Sequence, residues 1–273
     1  MPVTDFYDRH PISEAQVLDA VRRRRGHAPG ALTPEDLFPF DQDHYGGLAA
    51  VDTLARLAGI TERSRVLDLC AGLGGPARFV AARRHCRVVA LELNAGRATG
   101  ARRLSGLVGL GRQIRVVRAD ATTLPFAAGA FDACLSQEGL LHIADKATVL
   151  QEAHRVLAPR ARLAFTDWIA HRALGDGERR RLWEWMAATT VQTLDGYRAL
   201  LGRSGFSAVV AEDLTDVWRP ILRERLQMFR GLRADTVARL GETRHLEYDQ
   251  LYTFFVGLVE AGKLGGGRFS ATR

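Results

Sequence analysis

Lysine is almost missing from this chain: Lys146 and Lys263 are the only two among 38 basic residues. The formal net charge of +7 is therefore carried by arginine. Its densest clusters, Arg22 to Arg25 and Arg179 to Arg181, fall in expected helices with acids close by. Stacking aromatics of the kind that single-strand binders interleave with such clusters are scarce around them, so nucleic acid is not expected as a partner. Cysteine is scarce too. Cys70, Cys86 and Cys134 lie in or beside expected strands without CxxC spacing, which reads as three small buried residues rather than disulfides or zinc ligands. No apolar run reaches about 18 residues, and MPVTDFYDRHPISEAQ at the start lacks the apolar stretch of a signal peptide. The expectation is a cytoplasmic protein with no membrane partner. HExxH and clustered His and Asp patterns are missing as well, so no metal is expected, and there is no internal repeat.

What is present begins with RVLDLCAGLGGPARFVAARR, Arg65 to Arg84, followed by RVVALEL ending at Leu93. It reads as strand, glycine-rich turn, helix, strand. Val66, Leu67 and Leu69 form an apolar run suited to a strand buried on both faces, and the turn around Gly72, Gly74 and Gly75 opens a helix with its amide groups outward. The second strand ends at Glu92, about 20 residues past the first turn glycine, where an acid can grip ribose hydroxyls. Such a unit binds a nucleoside-containing cofactor. Gly72, Gly74 and Ala77 also satisfy the relaxed dinucleotide fingerprint. Asp68 weighs against a dinucleotide: a carboxylate at the end of the first strand repels a pyrophosphate and holds a cationic amino-acid group.

On these residues the chain resembles the class I S-adenosylmethionine-dependent methyltransferases. Their first motif, acid-x-Gly-x-Gly-x-Gly, is met by Asp68, Cys70, Gly72 and Gly74, with cysteine in place of the first glycine. Glu92, RADATTLPF (Arg118 to Phe126) and FDACLSQEGLLHI (Phe131 to Ile143) follow in family order. The resemblance implies an α/β, Rossmann-like sheet of seven strands, the last antiparallel. It implies S-adenosylmethionine as cofactor and S-adenosylhomocysteine as product. It puts Asp68, Gly72 and Gly74 near the methionine moiety, Glu92 on the ribose, and Asp120 with Ala121 at the adenine; Leu93 and Gln137 complete the expected contacts.

At 273 residues, 47% of them hydrophobic, the chain is long enough for one main domain with an accessory cap. Residues 1–60 are expected as a helical lid region. Ser13 with Gln16 makes a capping box for a helix through Arg25, and Pro29 and Gly30 separate it from a short second one started by Thr33, Pro34 and Asp36. FPFDQDHYGG, Phe38 to Gly47, reads as a segment aromatic enough to cover a ligand, leading into a helix over Leu48 to Ala58. Residues 61–216 form the expected cofactor-binding core. Its later strands fall near Ile114 to Arg118, Phe131 to Gln137, Ala161 to Thr166 and Phe206 to Asp213; its helices include Asn94 to Val108 and Lys146 to Leu157. Residues 217–262 show helical periodicity and read as an acceptor cap. Residues 263–273 supply the last strand, Arg268 to Thr272, with GKLGGGR as the loop into it.

Methyl transfer needs in-line attack on an already activated methyl group, so the protein need only align the acceptor, exclude water and manage a proton. Candidates lie at the carboxyl ends of strands, where open α/β sheets bind ligands. Glu138 suits a cationic acceptor or a proton, and equally a cap on the following helix. His142 stands where many small-molecule methyltransferases carry a pocket histidine, with a histidine buried beneath the loop as the structural alternative. Tyr7 joins them as a catalytic candidate, and His44, Tyr45 and Trp168 as acceptor-binding candidates, each also readable as simple packing. Tyr252, Phe254 and Phe255 read as cap core.

FDACLSQEGLLHI with FTDW, Phe165 to Trp168, is similar to the branch that includes sarcosine and dimethylglycine N-methyltransferases, which implies a small amine as acceptor. Methylation of a phenolic, isoprenoid or other natural-product acceptor on oxygen or carbon, a non-catalytic cofactor-binding role and a dinucleotide reductase remain open alternatives, as does assembly into a homodimer.

Overall fold

The computed structural model describes residues 3–273 apart from 9, 11, 27–29 and 43; Pro29, expected to help separate the helix through Arg25 from the next, lies outside the described residues. The N-terminal region folds as α1 (Val3–Asp8), α2 (Glu14–Arg25), α3 (Pro34–Leu37) and α4 (Gly47–Leu57). The box at Thr33 and Asp36 is in place, whereas the one at Ser13 is half-formed, since Gln16 Oε1 has no hydrogen-bond partner among the described residues. Ser13 accepts from the Gln16 amide at 3.3 Å, and Asp36 returns to the Thr33 amide at 2.8 Å.

The core then alternates: β1 (Arg65–Leu69), α5 (Gly75–Arg84), β2 (Arg87–Glu92), α6 (Ala95–Leu107), β3 (Ile114–Arg118), β4 (Phe131–Gln137), α7 (Lys146–Val156) and β5 (Leu157–Ala170). After α8 (Asp176–Met186) and α9 (Leu194–Arg203) come β6 (Ser207–Asp213), the helices α10 (Thr215–Gly231), α11 (Arg233–Leu240) and α12 (Glu242–Glu260), and β7 (Leu264–Thr272). The sheet order is β3-β2-β1-β4-β5-β7-β6, and β7 runs antiparallel to both its neighbours. Consecutive strands step outward from β1 in one direction to β3, and the chain then crosses back to place β4 on the other side of β1. Ligands of open α/β sheets bind at such a reversal, beyond the carboxyl ends of the strands. Asp68, Glu92 and Gln137 stand at those ends.

Two expected strands are longer than the sequence suggests, β5 at both ends, since it starts at Leu157, and β7 at its start. β5 extends past Thr166 to Ala170, because β7 pairs with it from Arg162 through Ala170. GKLGGGR is not a loop: β7 begins at Leu264. A side chain at Gly265 would collide with Thr215, and one at Gly266 with the Trp218 indole. These glycines let α10 lie directly on the strand, a close-approach role rather than a flexible one.

Apolar clusters cover both faces of the sheet. A third cluster joins the far ends of β5 and β7 to α8, α10 and α12, with Trp168, Trp218, Tyr45 and Phe255 at its centre. The loop before α4 is fixed by a buried ion pair. Arg78 Nε on α5 donates to Asp41 Oδ2 at 2.9 Å, and both side chains are fully buried. Any Cβ at Gly75 would run into the Asp41 carbonyl, so the glycine turn and the loop are built against each other.

Asp41→Ala leaves a buried guanidinium unpaired and is expected to lower unfolding free energy by about 3–5 kcal/mol in urea denaturation. Combining it with Arg78→Met should return most of that loss; a loss under about 1 kcal/mol in the single variant would show that the pair does not support the fold.

A candidate cofactor and acceptor site

A cavity of about 540 Å³ opens at the strand reversal, within the range of small-molecule sites. Its floor is the turn after β1. Cys70 takes a left-handed backbone, with φ 58°, a conformation that glycine adopts without strain. The turn keeps its shape despite cysteine, and Gly139 packs so closely on Cys70 that a Cβ there would overlap it.

Three carboxylates line this half of the cavity. Glu92 accepts from the Gly72 amide with Oε2 and from the Asn94 amide with Oε1, each at 2.8 Å. Both contacts fix its orientation while each oxygen keeps a further lone pair. Asp120 accepts from the Thr122 amide at 2.8 Å and the Thr122 hydroxyl at 2.7 Å, which shapes the turn carrying Ala121. Asp68 is buried, and its Oδ2 has no hydrogen-bond partner among the described residues. Burial, with the nearby Glu92 charge as the second cause, pushes its pKa up to about 8. A buried carboxylate oxygen without a donor is costly unless a ligand supplies one. An ammonium group fits that requirement.

The other half of the cavity is aromatic. Tyr7, on α1, reaches across to His142 in the 3-10 turn Leu140–His142, with Oη 2.8 Å from Nε2. His142 Nδ1 lies 3.2 Å from the Ala187 carbonyl, which can only accept, so Nδ1 carries the proton and the Tyr7 hydroxyl donates to Nε2. Burial lowers the His142 pKa to about 4, which keeps the ring neutral. The Arg97 guanidinium sits over the Tyr7 ring, 4.4 Å from its centroid.

Glu138 follows β4 with a left-handed backbone, φ 53°. Its amide donates to the Thr166 carbonyl and its Oε1 accepts from the Tyr45 amide, both at 2.8 Å. It does not cap the turn that follows, whose first position is Gly139. His44 joins Gln42 at 2.8 Å and the Gln137 amide at 3.0 Å, so the loop from Asp41 to Tyr45 meets the end of β4 through side chains. Asp43, in that same segment, lies outside the described residues.

Of the residues singled out from the sequence, Tyr7, His44, Tyr45, Asp68, Gly72, Glu92, Leu93, Asp120, Ala121, Gln137, Glu138 and His142 all line this cavity. Two do not. Trp168 is buried behind the wall, edge-on to Tyr45, Trp218 and Phe255; its side chain leaves β5 towards the cap, so it backs Tyr45 instead of facing an acceptor. Gly74 caps α5, and a Cβ there would press on Arg78 and Ala101, so it serves the packing of α5 on α6. Tyr252 and Phe255, read as cap core, also reach the cavity wall. Sequence reasoning missed Phe6, Asn94, Arg97, Arg225, Tyr248 and Leu251. They come from four separated helices, α1, α6, α10 and α12, and no local pattern marks which turn of each faces the sheet.

The comparisons agree with this geometry. Residues 67–165 match the family described as methyltransferase domain. The glycine/sarcosine/dimethylglycine N-methyltransferase of Actinopolyspora halophila is 32% identical over 62% of this chain and 30% of its own length. The sarcosine/dimethylglycine N-methyltransferase of Halorhodospira halochloris is 32% identical over 60% of each chain. The chain thus spans between about a third and three fifths of the length of these relatives. In fold it is similar to phosphoethanolamine N-methyltransferase 2 of Haemonchus contortus, solved with phosphomonomethylethanolamine and S-adenosylhomocysteine. The TM-score is 0.80 and the identity 18%, over all of this chain and 61% of that one.

A cation pairs only with ionised Asp68, so binding of a cationic cofactor there must displace the proton of a carboxyl whose pKa is about 8. Affinity for S-adenosylmethionine should therefore rise with pH from about 6 to 8 and level off above, with release of up to about one proton near pH 7. Calorimetry in two buffers of different ionisation enthalpy measures it, and Asp68→Asn should abolish both the slope and the release. Residues 67–165, which match the methyltransferase domain, include Asp68, Glu92 and Asp120, the three carboxylates that line one half of the cavity.

Proposed function

We propose that the chain moves the methyl group of S-adenosylmethionine to the nitrogen of a small amine. The observation that carries this reading is the Tyr7–His142 hydrogen bond of 2.8 Å, which holds an oriented phenol oxygen in an aromatic cavity that Glu138 also lines. In this reading Asp68 pairs with the amino group of the cofactor, Glu92 with its ribose, and Asp120 with Ala121 borders the adenine.

When bound, the cofactor supplies a methyl group on a positively charged sulfur, which needs no further activation, and keeps the sulfur–carbon electron pair as the leaving thioether once the methyl passes to the nitrogen lone pair. The protein's task is to present that lone pair in line with the methyl. The attacking nitrogen must lose a proton, before attack if it arrives as an ammonium and afterwards if it still carries one. Tyr7 donates its own proton to His142, so its oxygen faces the amine as an acceptor and turns the N–H away from the line of attack. Glu138 draws the ammonium form into the site and takes the proton it gives up. His142, with a pKa near 4, holds Tyr7 and does not keep a proton itself. The residues of α10 to α12 close the far side, excluding water from the transfer.

The similarity to sarcosine and dimethylglycine N-methyltransferases supports an amine over a phenol or an isoprenoid. Transfer of labelled methyl into a pool of small amines and amino acids, against a pool of phenolic and isoprenoid metabolites, tests the choice; label in the second pool alone overturns it. Tyr7→Phe and Glu138→Gln should each lower kcat by about 10- to 100-fold, with cofactor affinity unchanged in calorimetry. Full turnover in either variant would reduce that residue to packing.

A further inference from the structure

Helix α10 carries four arginines, and three of them are spent on carboxylates. Arg219 pairs with Asp216 at 2.7 Å, Arg223 with Glu260 at 2.5 Å and Arg230 with Asp249 at 2.6 Å. Arg225 is the exception. Half-buried in the cavity wall, it donates from Nη2 to the His44 carbonyl at 2.6 Å and lies over the Tyr45 ring, 4.5 Å from its centroid. No carboxylate among the described residues pairs with it.

The carbonyl it holds belongs to a telling peptide unit. His44 C=O accepts from Arg225, and the N–H of the same unit, on Tyr45, donates to Glu138 Oε1 at 2.8 Å. The two groups of a trans peptide point in opposite directions, so one peptide unit separates a guanidinium from a carboxylate. With roughly 2.2 Å between a peptide oxygen and nitrogen, Arg225 Nη2 and Glu138 Oε1 lie no more than about 8 Å apart. A zwitterion whose amine and oxyanion are two or three bonds apart, with a hydrogen bond at each end, spans about the same length.

We infer that Arg225 is a specificity residue that reads an oxyanion, carboxylate or phosphate, on the acceptor, while Glu138 faces its amine. The inference rests on the amine reading above. A guanidinium offers five donors, and only one is used here, so a two-pronged contact with a planar or tetrahedral oxyanion remains open to it. Its position on α10 makes the cap, not the core, the part that recognises the anion. The spacing selects short zwitterions, because a longer chain between the two charges cannot satisfy Arg225 and Glu138 at once without folding back.

The test compares three acceptors in the full chain: sarcosine for the carboxylate, phosphoethanolamine for the phosphate, and N-methylglycinamide as the neutral counterpart. Wild type should turn over one of the anionic amines with kcat/KM about 30- to 100-fold above the neutral one, the size of a charge-assisted contact pair. Arg225→Gln should erase that preference mainly through KM, lowering kcat/KM for the anionic amine about 30- to 100-fold more than for the neutral one. Arg225→Lys should recover only part of it. An equal loss on all three acceptors would make Arg225 a strap for Tyr45, and equal use of all three by wild type would remove the anion site; either result overturns the inference. Calorimetry of the two anionic amines against the protein loaded with S-adenosylhomocysteine separates this from the amine reading. Binding lost in Arg225→Gln but without methyl transfer keeps the anion site and overturns N-methylation, whereas no binding of either overturns the anion site.

Discussion

The buried pair of Arg78 and Asp41 is the constraint on which both halves of the site depend. Arg78 belongs to the helix that follows the glycine turn, and Asp41 to the loop that carries His44 and Tyr45. Two fully buried charges tolerate little displacement, since separating them leaves each without a partner in a medium that cannot solvate it. The loop is therefore seated on α5 wherever the glycine turn goes. From that seat the Tyr45 amide reaches Glu138, and the Tyr45 ring closes against Trp168 and Trp218. Arg78 also acts in the other direction, because its positive charge partly offsets the burial that raises Asp68. One guanidinium thus supports the loop that carries His44 and Tyr45 through contact and the Asp68 carboxylate through its field.

Most of the core could be read from the sequence because its signals are local. A strand buried on both faces, a turn rich in glycine and an acid at the end of the next strand lie within thirty or so residues, and each leaves its mark in a short window. β1, β2, β3 and β4 fall at or within a residue of where periodicity puts them. The exceptions are instructive. Gly265 and Gly266 look like a loop in a linear reading, since glycine usually marks flexibility; here they answer to Thr215 and Trp218, about fifty residues earlier in the chain. Trp168 was legible as a tryptophan past a buried strand, but which way it faces depends on β7 extending β5 by four residues, and that pairing is not encoded near Trp168.

The acceptor half is less legible for the same reason. Glu138 and His142 share one short motif, but Tyr7 is far from both in sequence, and only the packing of α1 beside the turn after β4 brings its hydroxyl to His142. Arg225 sits in a run, ILRERLQ, whose amphipathic pattern gives a helix and nothing more. That three of the four α10 arginines find acids while Arg225 finds a peptide carbonyl emerges only when α12 and the loop before α4 are both in place. Ion pairs at helical spacing are visible in a sequence; a cation left over after pairing is visible only in a fold.

Helix α1 shows how these parts act as one. Its six residues include none that is buried, and a helix this short is not stable by itself in water. Its place is set by side chains of α6 and the turn after β4: Asn94 Nδ2 donates to the Thr4 carbonyl at 3.2 Å and to Asp8 at 2.7 Å, Arg97 lies on the Tyr7 ring, and His142 receives the Tyr7 hydroxyl. Asn94 is also the residue whose backbone amide holds Glu92. The same residue therefore supports the proposed ribose contact with its main chain and the lid with its side chain. A shift of Glu92 that moved Asn94 would loosen α1 and, through Tyr7, the phenol oxygen held by His142. The carboxylate wall and the aromatic wall of the cavity are in this sense a single mechanical unit, and α10, which carries Arg225, is tied to it through the His44–Tyr45 peptide.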